Sequence, residues 1–181
     1  MYKQTTDQEQ INITYADSYQ ELCGIALTQL ERMHSVWQAR QDKQHPLPPI
    51  GVVCGPISNG GVGRGDREVN LQVFGVAVAS FQHEREGFFF SQMPYEDVIG
   101  DLKRADIIKL GKPVADLKLL TEFYLPLFES GKIGEMLFLP DWQTSSGATW
   151  ERRQGERLGI SIHDIPEPVA KAFLAAAQVV N

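Results

Sequence analysis

Cysteines are scarce in this chain of 181 residues, which contains only Cys23 and Cys54. One lies in a helical pattern and the other in a strand pattern, so we predict two buried free thiols in a reducing cytoplasm. The sequence also lacks an N-terminal signal pattern and a run of about 18 apolar residues, and we therefore expect neither secretion nor a membrane span. Because neither GxGxxG nor GxxxxGK is present, a dinucleotide fingerprint and a P-loop are excluded.

Positive charge is in the minority, since 17 basic residues stand against 23 acidic ones and the net charge is -6. This balance argues against a general electrostatic grip on nucleic acid. A phosphate group would have to be held locally, by backbone N–H groups and one or two arginines. The hydrophobic fraction of 43% and the charged fraction of 22% are those of an ordinary globular protein. The length fits one domain with an appendage.

Short apolar runs that begin near residues 50, 88, 133 and 159 alternate with helical patterns. Such alternation predicts a doubly wound, mostly parallel α/β sheet of Rossmann-like or flavodoxin-like type, flanked by helices. We expect an extra N-terminal helix within residues 1–49 and the α/β domain in residues 50–181. The predicted strands are 50–54, 88–92, 133–140 and 159–163, and the predicted helices are 18–40, 66–83, 97 to about 103, 116–128 and 166–180.

The N-terminal helix carries an apolar stripe that includes Leu22, Ala26 and Leu30. A stripe of this kind must be covered by other apolar groups. The domain's own sheet and a second subunit are the two candidates for that cover.

A glycine-rich loop follows the first predicted strand, with five glycines between residues 55 and 65. Glycines let the backbone curl and turn its N–H groups toward an anion, although a plain flexible loop is the alternative. In the next helix, Asn70 falls on the inward apolar stripe. Its amide there needs either a neighbouring backbone group or a ligand as a partner.

The stretch from 137 to 162 contains a buried strand, a turn, a helix and a further strand. If Ser146 caps the helix, Glu151 falls in its second turn, on a stripe of small residues with Ala148 and Gly155. Proximity to the helix N-terminus favours the ionised form, which suits a nucleophile or an anchor for hydroxyl groups. The alternatives are a salt bridge to Arg152 or another arginine, and simple helix-start electrostatics.

Several short motifs surround this glutamate. They are Gly-Pro-Ile at 55–57, Asn-x-x-x-Phe at 70–74, Leu-Pro-Asp-Trp at 139–142, and Ser-Ser-Gly-Ala at 145–148 followed by Glu151. In these motifs the chain resembles the nucleoside 2-deoxyribosyltransferase superfamily, and in particular its uncharacterised bacterial and phage branch. The resemblance covers about residues 50–75 and 133–165, and it implies that the α/β domain is of this type.

The resemblance implies an N-glycosidase or (deoxy)ribosyltransferase that acts on a small-molecule nucleoside or nucleoside 5′-monophosphate. Glu151 would attack the anomeric carbon in a double displacement. The departing base needs a proton, for which Asp97, Glu96 and Asp141 are candidates, with Tyr95 as a positioning group. The implied substrate-binding residues are Gly55, Pro56, Ile57, Ser58, Asn70, Trp142, Ser145, Ser146 and Gly147.

Two other functions remain open on the sequence. One is a non-catalytic nucleotide-binding or sensing module on the same fold, and the other is an unrelated phosphate-handling enzyme or partner-binding domain. Trp142 either stacks on a base or packs beside the turn. We expect no cofactor, no metal, and neither nucleic acid nor membrane as a partner. The stripe on helix 18–40 and the habit of the superfamily predict a homodimer or a higher homo-oligomer.

Overall fold

The computed structural model of the chain describes residues 15–57, 60–111 and 116–179. Its strands are β1 (Gly51–Cys54), β2 (Phe89–Phe90), β3 (Glu135–Phe138) and β4 (Ser161–Asp164). In the described part of the chain these four strands form one sheet in the order β2-β1-β3-β4, and every neighbouring pair is parallel. The predicted doubly wound α/β fold is therefore confirmed.

The helices that flank the sheet follow the predicted order. They are α1 (Tyr19–Ala39), α2 (Arg67–Glu84), α3 (Glu96–Leu110), α4 (Leu117–Leu119), a π-helical turn (Leu120–Tyr124), α5 (Leu125–Glu129), α6 (Ser146–Leu158) and α7 (Glu167–Val179). Helix α3 continues about two turns beyond the predicted end, because it stops only at Gly111, whose left-handed φ of 65° suits glycine. None of the helices in these ranges is long and apolar enough to cross a membrane.

The two faces of the sheet are covered by different helices. Val53 faces a core that includes apolar side chains of α2 and α7. Val52 and Cys54 face the opposite core, which includes apolar side chains of α1, α3, the π-helical turn and α5. The alternation follows from the two-residue period of a strand, and both faces are apolar because a parallel sheet is buried on both sides.

Helix α1 belongs to this second core. Its buried residues include Leu22, Ala26 and Leu30, and they share one apolar cluster with Phe123 and Phe128. The domain itself therefore covers the apolar stripe of the N-terminal helix. A homo-oligomer would have to use another surface.

The strand order creates a switch point between β1 and β3. From β1 the chain crosses to β2 on one side, and it later returns to place β3 on the other side. Cys54 and Phe138 pair at the carboxyl ends of these strands, and the Leu139 N–H donates to the Cys54 carbonyl at 2.8 Å. Ligands in open α/β sheets bind outside such a point, so the two strand-to-helix turns meet where a site is expected.

The opposite end of the sheet holds a buried ion pair. Glu135 begins β3, is 5% exposed, and accepts a hydrogen bond from the Arg85 guanidinium. The same guanidinium lies 3.4 Å from the carbonyl oxygen of Pro49. The pair therefore joins the end of α2 to the start of β3, far along the strands from the switch point.

Arg85→Met is expected to lower the free energy of unfolding by about 3 kcal/mol, because it leaves the buried Glu135 carboxylate without its cation. Urea unfolding measures the loss. The matched control is Lys171→Met, which breaks an exposed pair with Glu167 and should change stability by less than about 0.5 kcal/mol. Equally small changes in both variants would contradict a stabilising role for the buried pair.

Candidate active site at the carboxyl edge of the sheet

Helix α6 lies close against strand β3. The Ser145 hydroxyl caps the helix by accepting from the Ala148 N–H at 3.2 Å, so the helix starts one residue earlier than predicted. Its buried residues are Ala148, Glu151 and Gly155, which is the predicted small-residue stripe. A Cβ at Gly155 would lie only 2.7 Å from the Met136 sulfur. The glycine therefore permits helix α6 to pack close to strand β3, and this packing buries Glu151.

The Glu151 carboxyl group reaches the end of β1. Its residue is 8% exposed, and the carboxyl group interacts through a hydrogen bond with the buried thiol of Cys54. Burial raises the pKa of the Cys54 thiol well above its ordinary value, and the nearby Glu151 raises it further. The thiol is thus protonated and acts as the donor.

Glu96 and Tyr124 act on the same site. Together with Cys54 and Glu151 they form what we call the carboxyl-edge cluster. Burial raises the pKa of the Tyr124 hydroxyl, and the charges of Glu96 and Glu151 add to this shift. Glu96 likewise contributes to the raised pKa of Glu151. Two carboxyl groups, a phenol and a thiol therefore act on one another electrostatically at this edge.

Burial is the largest influence on Glu151. Burial, partly opposed by the Cys54 hydrogen bond and aided to a smaller extent by the charge of Glu96, raises the pKa of this carboxyl group to about 8. The sequence had favoured the ionised form because of the helix N-terminus. That expectation fails because the helix dipole acts mainly within the first turn, whereas Glu151 lies in the second.

Arg152 does not neutralise Glu151. Its guanidinium donates to the Asp164 carboxylate at 2.6 and 3.3 Å, and it lies 4.3 Å from the centre of the Trp142 ring. Among the residues that the structure describes, no lysine or arginine comes within salt-bridge distance of Glu151. The predicted alternative of a salt bridge between Glu151 and an arginine is therefore wrong for the described residues.

Glu96 has a different environment from Glu151. It begins α3 just after β2, its side chain is 14% exposed, and the Arg67 guanidinium lies 3.6 Å away. Burial raises the pKa of Glu96, while Arg67 and Lys103 oppose the rise. The cluster thus contains one carboxyl group near cations and one without them, an arrangement that separates acid and base roles in enzymes.

The other residues predicted to protonate or position the departing base lie outside the cluster. Asp97, the first predicted proton donor, is exposed. Tyr95 is fully buried, and its hydroxyl donates to the Gln29 side chain of α1. Asp141 is exposed and has a left-handed φ of 61°. Of the three candidate donors, the structure brings only Glu96 into the cluster.

Asn70 holds the glycine loop in shape. Its Nδ2 donates to the carbonyls of Ile57 and Gly60 at 3.1 and 3.0 Å, and its Oδ1 accepts from the Gly63 N–H at 2.9 Å. A Cβ at Gly61 would approach that oxygen to 2.8 Å. Of the two partners expected for the Asn70 amide, a backbone group or a ligand, the structure shows backbone groups. Asn70 therefore stabilises the conformation of the loop.

The N–H groups of residues 64–66 also bond inside the loop, to the carbonyls of Gly61, Gly60 and Gly63. They are not turned toward an anion. At the start of α6, Ser146 and Gly147 have no acceptor one turn earlier in the helix, so their N–H groups point toward a ligand at this edge. Ser58 lies outside the described residues.

The glycine loop and the β3–α6 turn are in contact. A Cβ at Gly55 would lie 2.8 Å from the Leu139 Cβ, and one at Gly60 would collide with the Thr144 hydroxyl. The remaining predicted binding residues line this junction to different depths. Pro56 is buried, Ile57, Trp142, Ser145 and Gly147 are half-buried, and Ser146 is exposed.

Trp142 packs beside the turn. Its ring meets Phe138 edge-on at 5.8 Å between centroids, and the Arg152 guanidinium covers it. Packing therefore accounts for this side chain, which forms a wall of the junction.

Comparisons of the chain with protein-family models, curated proteins and solved structures gave no match. The function of the site is therefore inferred from its geometry. Sequence reasoning missed Cys54 and Tyr124 as members of the site. The position of Cys54 at the end of a switch-point strand was an available signal, whereas Tyr124 reads only as one more aromatic residue of a core helix.

Wild-type stability is expected to fall as the pH rises from about 4.5 to about 8. Over this range folded Glu151, with its pKa of about 8 against an ordinary value of 4.5, keeps a proton that the unfolded chain releases. At about 1.36 kcal/mol per pH unit, the loss is up to about 5 kcal/mol.

Glu151→Gln has no such carboxyl group. Its free energy of unfolding should therefore fall less between pH 5 and pH 9 than that of the wild type. Urea unfolding at both values measures the difference, with Glu156→Gln, on the exposed face of the same helix, as the control. Parallel pH dependence in Glu151→Gln and the wild type would mean that the carboxyl group is solvated.

Proposed function

We propose that this chain is a cytoplasmic N-glycosidase or (deoxy)ribosyltransferase that cleaves the N-glycosidic bond of a nucleoside or nucleoside 5′-monophosphate. The observation that carries the proposal is the buried carboxyl group of Glu151 at the switch point of the sheet, which has no salt-bridge partner among the described residues and whose pKa a second carboxyl group, Glu96, helps to raise. Paired carboxyl groups in unlike environments perform glycoside cleavage through an oxocarbenium-like transition state.

In the first step a Glu151 carboxylate oxygen bonds to the anomeric carbon while the bond from that carbon to the base nitrogen breaks. The electron pair of the broken bond goes to the base, which takes up the proton that Glu151 holds at rest; this proton reaches the base through Glu96 as Glu151 becomes the attacking carboxylate. In the second step water, or a second base, attacks the anomeric carbon and the ester bond to Glu151 breaks. Glu96 accepts the proton of the attacking group and returns it to Glu151, so both carboxyl groups regain their starting state.

The surroundings of Glu151 suit this role. With a pKa of about 8, about one tenth of the group is ionised at pH 7, and the fraction rises with pH. A carboxylate without a cation in a low-dielectric site interacts strongly with positive charge that develops on the sugar. The Cys54 thiol donates a hydrogen bond to this carboxyl group.

The sugar would lie between the cluster and the start of α6. Ser146 and Gly147 offer backbone N–H groups there, and the positive end of the helix favours a 5′-phosphate or a hydroxyl oxygen. The Arg67 guanidinium lies 3.6 Å from the Glu96 carboxylate, and Lys103 also lowers the pKa of Glu96. This arrangement matches a neutral or singly phosphorylated nucleoside better than a polyanion.

One observation favours the alternative, a non-catalytic nucleotide-binding module. Glu151 is mostly protonated at neutral pH, and a protonated carboxyl group is a good hydrogen-bond partner for the edge of a base. In that case the cluster would recognise a ligand without attacking it. Binding and turnover must therefore be measured separately.

Free base should appear when the wild-type protein is incubated at pH 7 with a panel of nucleosides and nucleoside 5′-monophosphates. Glu151→Gln is expected to lower kcat by at least about a thousandfold, as loss of a nucleophile does. Glu156→Gln should change it by less than about twofold, because that side chain is exposed on the same helix. Liquid chromatography of the released base measures all three proteins.

Equal base release by the wild type and Glu151→Gln would remove the assigned nucleophile. A wild type that binds a nucleotide by calorimetry yet releases no base would favour the binding module.

A further inference from the structure

Gln92 lies at the carboxyl end of β2, beside the carboxyl-edge cluster. It is 3% exposed, and its Nε2 donates to the Val53 carbonyl at 2.9 Å. That carbonyl belongs to the peptide bond between Val53 and Cys54. The side-chain amide of Gln92 is therefore held one residue from the thiol that contacts Glu151.

The other end of this amide has no partner. Gln92 Oε1 is the buried side-chain atom that lacks a hydrogen bond within the described ranges of the chain. Rotating the amide would set this oxygen against the Val53 carbonyl, two acceptors facing each other, so the bond to Val53 fixes which atom is free. A buried acceptor without a donor is costly, and such a group in a native structure calls for a missing partner.

We propose that Gln92 Oε1 accepts a hydrogen bond from the 2-hydroxyl of the sugar and thereby selects ribonucleosides over 2′-deoxyribonucleosides. The inference rests on the proposed function. Glu151 attacks the anomeric carbon, and the 2-hydroxyl is bonded to the next ring carbon, which makes it the sugar donor nearest to that carboxyl group. Hydrogen bonds to the 2-hydroxyl strengthen in the transition state of glycoside cleavage.

The chemistry of Gln92 suits this choice. A fixed amide oxygen accepts and cannot donate, so it matches a hydroxyl and gains nothing from the methylene of a deoxyribose. A site built to bond a substrate hydroxyl rejects the analogue that lacks it, because its own polar group then stays unpaired. Gln92 is in this sense a specificity residue, and the covalent step remains with Glu151.

The test compares kcat/KM for three nucleosides that share the base best released by the wild type: the ribonucleoside, its 2′-deoxy form and its 3′-deoxy form. The wild type should prefer the ribonucleoside over the 2′-deoxy form by at least about tenfold, and over the 3′-deoxy form by less. Gln92→Met, which has no acceptor, should reduce the 2′ preference by about tenfold.

Gln82→Met is the matched control. Gln82 also donates through Nε2 to a carbonyl of the sheet, that of Phe89 at 3.2 Å, but from helix α2. Its loss removes a comparable bond without touching the site, so the ratio of the two kcat/KM values should stay at the wild-type level. A merely structural role for Gln92 would lower both rates together and leave that ratio unchanged.

An unchanged ratio in an active Gln92→Met variant overturns the inference while the proposed function stands. If that variant does not fold, the wild type decides alone, and equal rates on the ribo and 2′-deoxy substrates overturn it. A wild type that releases no base from any nucleoside or nucleotide overturns both proposals together.

Discussion

Close packing of helix α6 on strand β3 is the constraint on which the candidate site depends. Gly155 has no side chain, and the Met136 sulfur occupies the space that a Cβ would need. One turn earlier the same helix face carries Glu151, which consequently lies buried near the end of β1. A bulkier residue at 155 would lift the helix and expose the carboxyl group, and its unusual protonation would then be lost.

The two ends of the sheet treat buried acidic groups in opposite ways. At the amino end Glu135 is paired with Arg85, so its charge is balanced and the pair links α2 to the sheet. At the carboxyl end Glu151 has a thiol as partner and a second carboxyl group nearby. An uncompensated buried acid lowers stability, and such groups persist where they have a task. The contrast within one sheet is the physical reason to place function at the switch point.

The fold could be predicted because its signals are local and repeated. Apolar runs separated by helical patterns determine a doubly wound parallel sheet, and the inward stripe of α6 determines that Glu151 is buried. Of the groups around that carboxyl group, Glu96 was one of three candidates and Cys54 and Tyr124 were missed, because the three come from separate elements. Cys54 ends β1, Glu96 begins α3 and Tyr124 lies in a π-helical turn, and only the packed structure brings them together.

The protonation of Glu151 was predicted with the wrong sign for a related reason. A helix N-terminus is visible in a sequence, whereas the depth of burial is not, and burial is the larger effect here. The same limit applies to Asn70, whose amide is consumed by loop carbonyls that a linear reading cannot locate.

Mass spectrometry of the acid-quenched enzyme tests the central claim most directly. If Glu151 is the nucleophile, digestion after incubation with a cleaved nucleoside should yield a peptide that carries a pentosyl group esterified to Glu151. The Glu151→Gln protein should yield none. A pentosyl group on Glu96 or another residue, or steady base release without any adduct and with inversion at the anomeric carbon, would contradict the account.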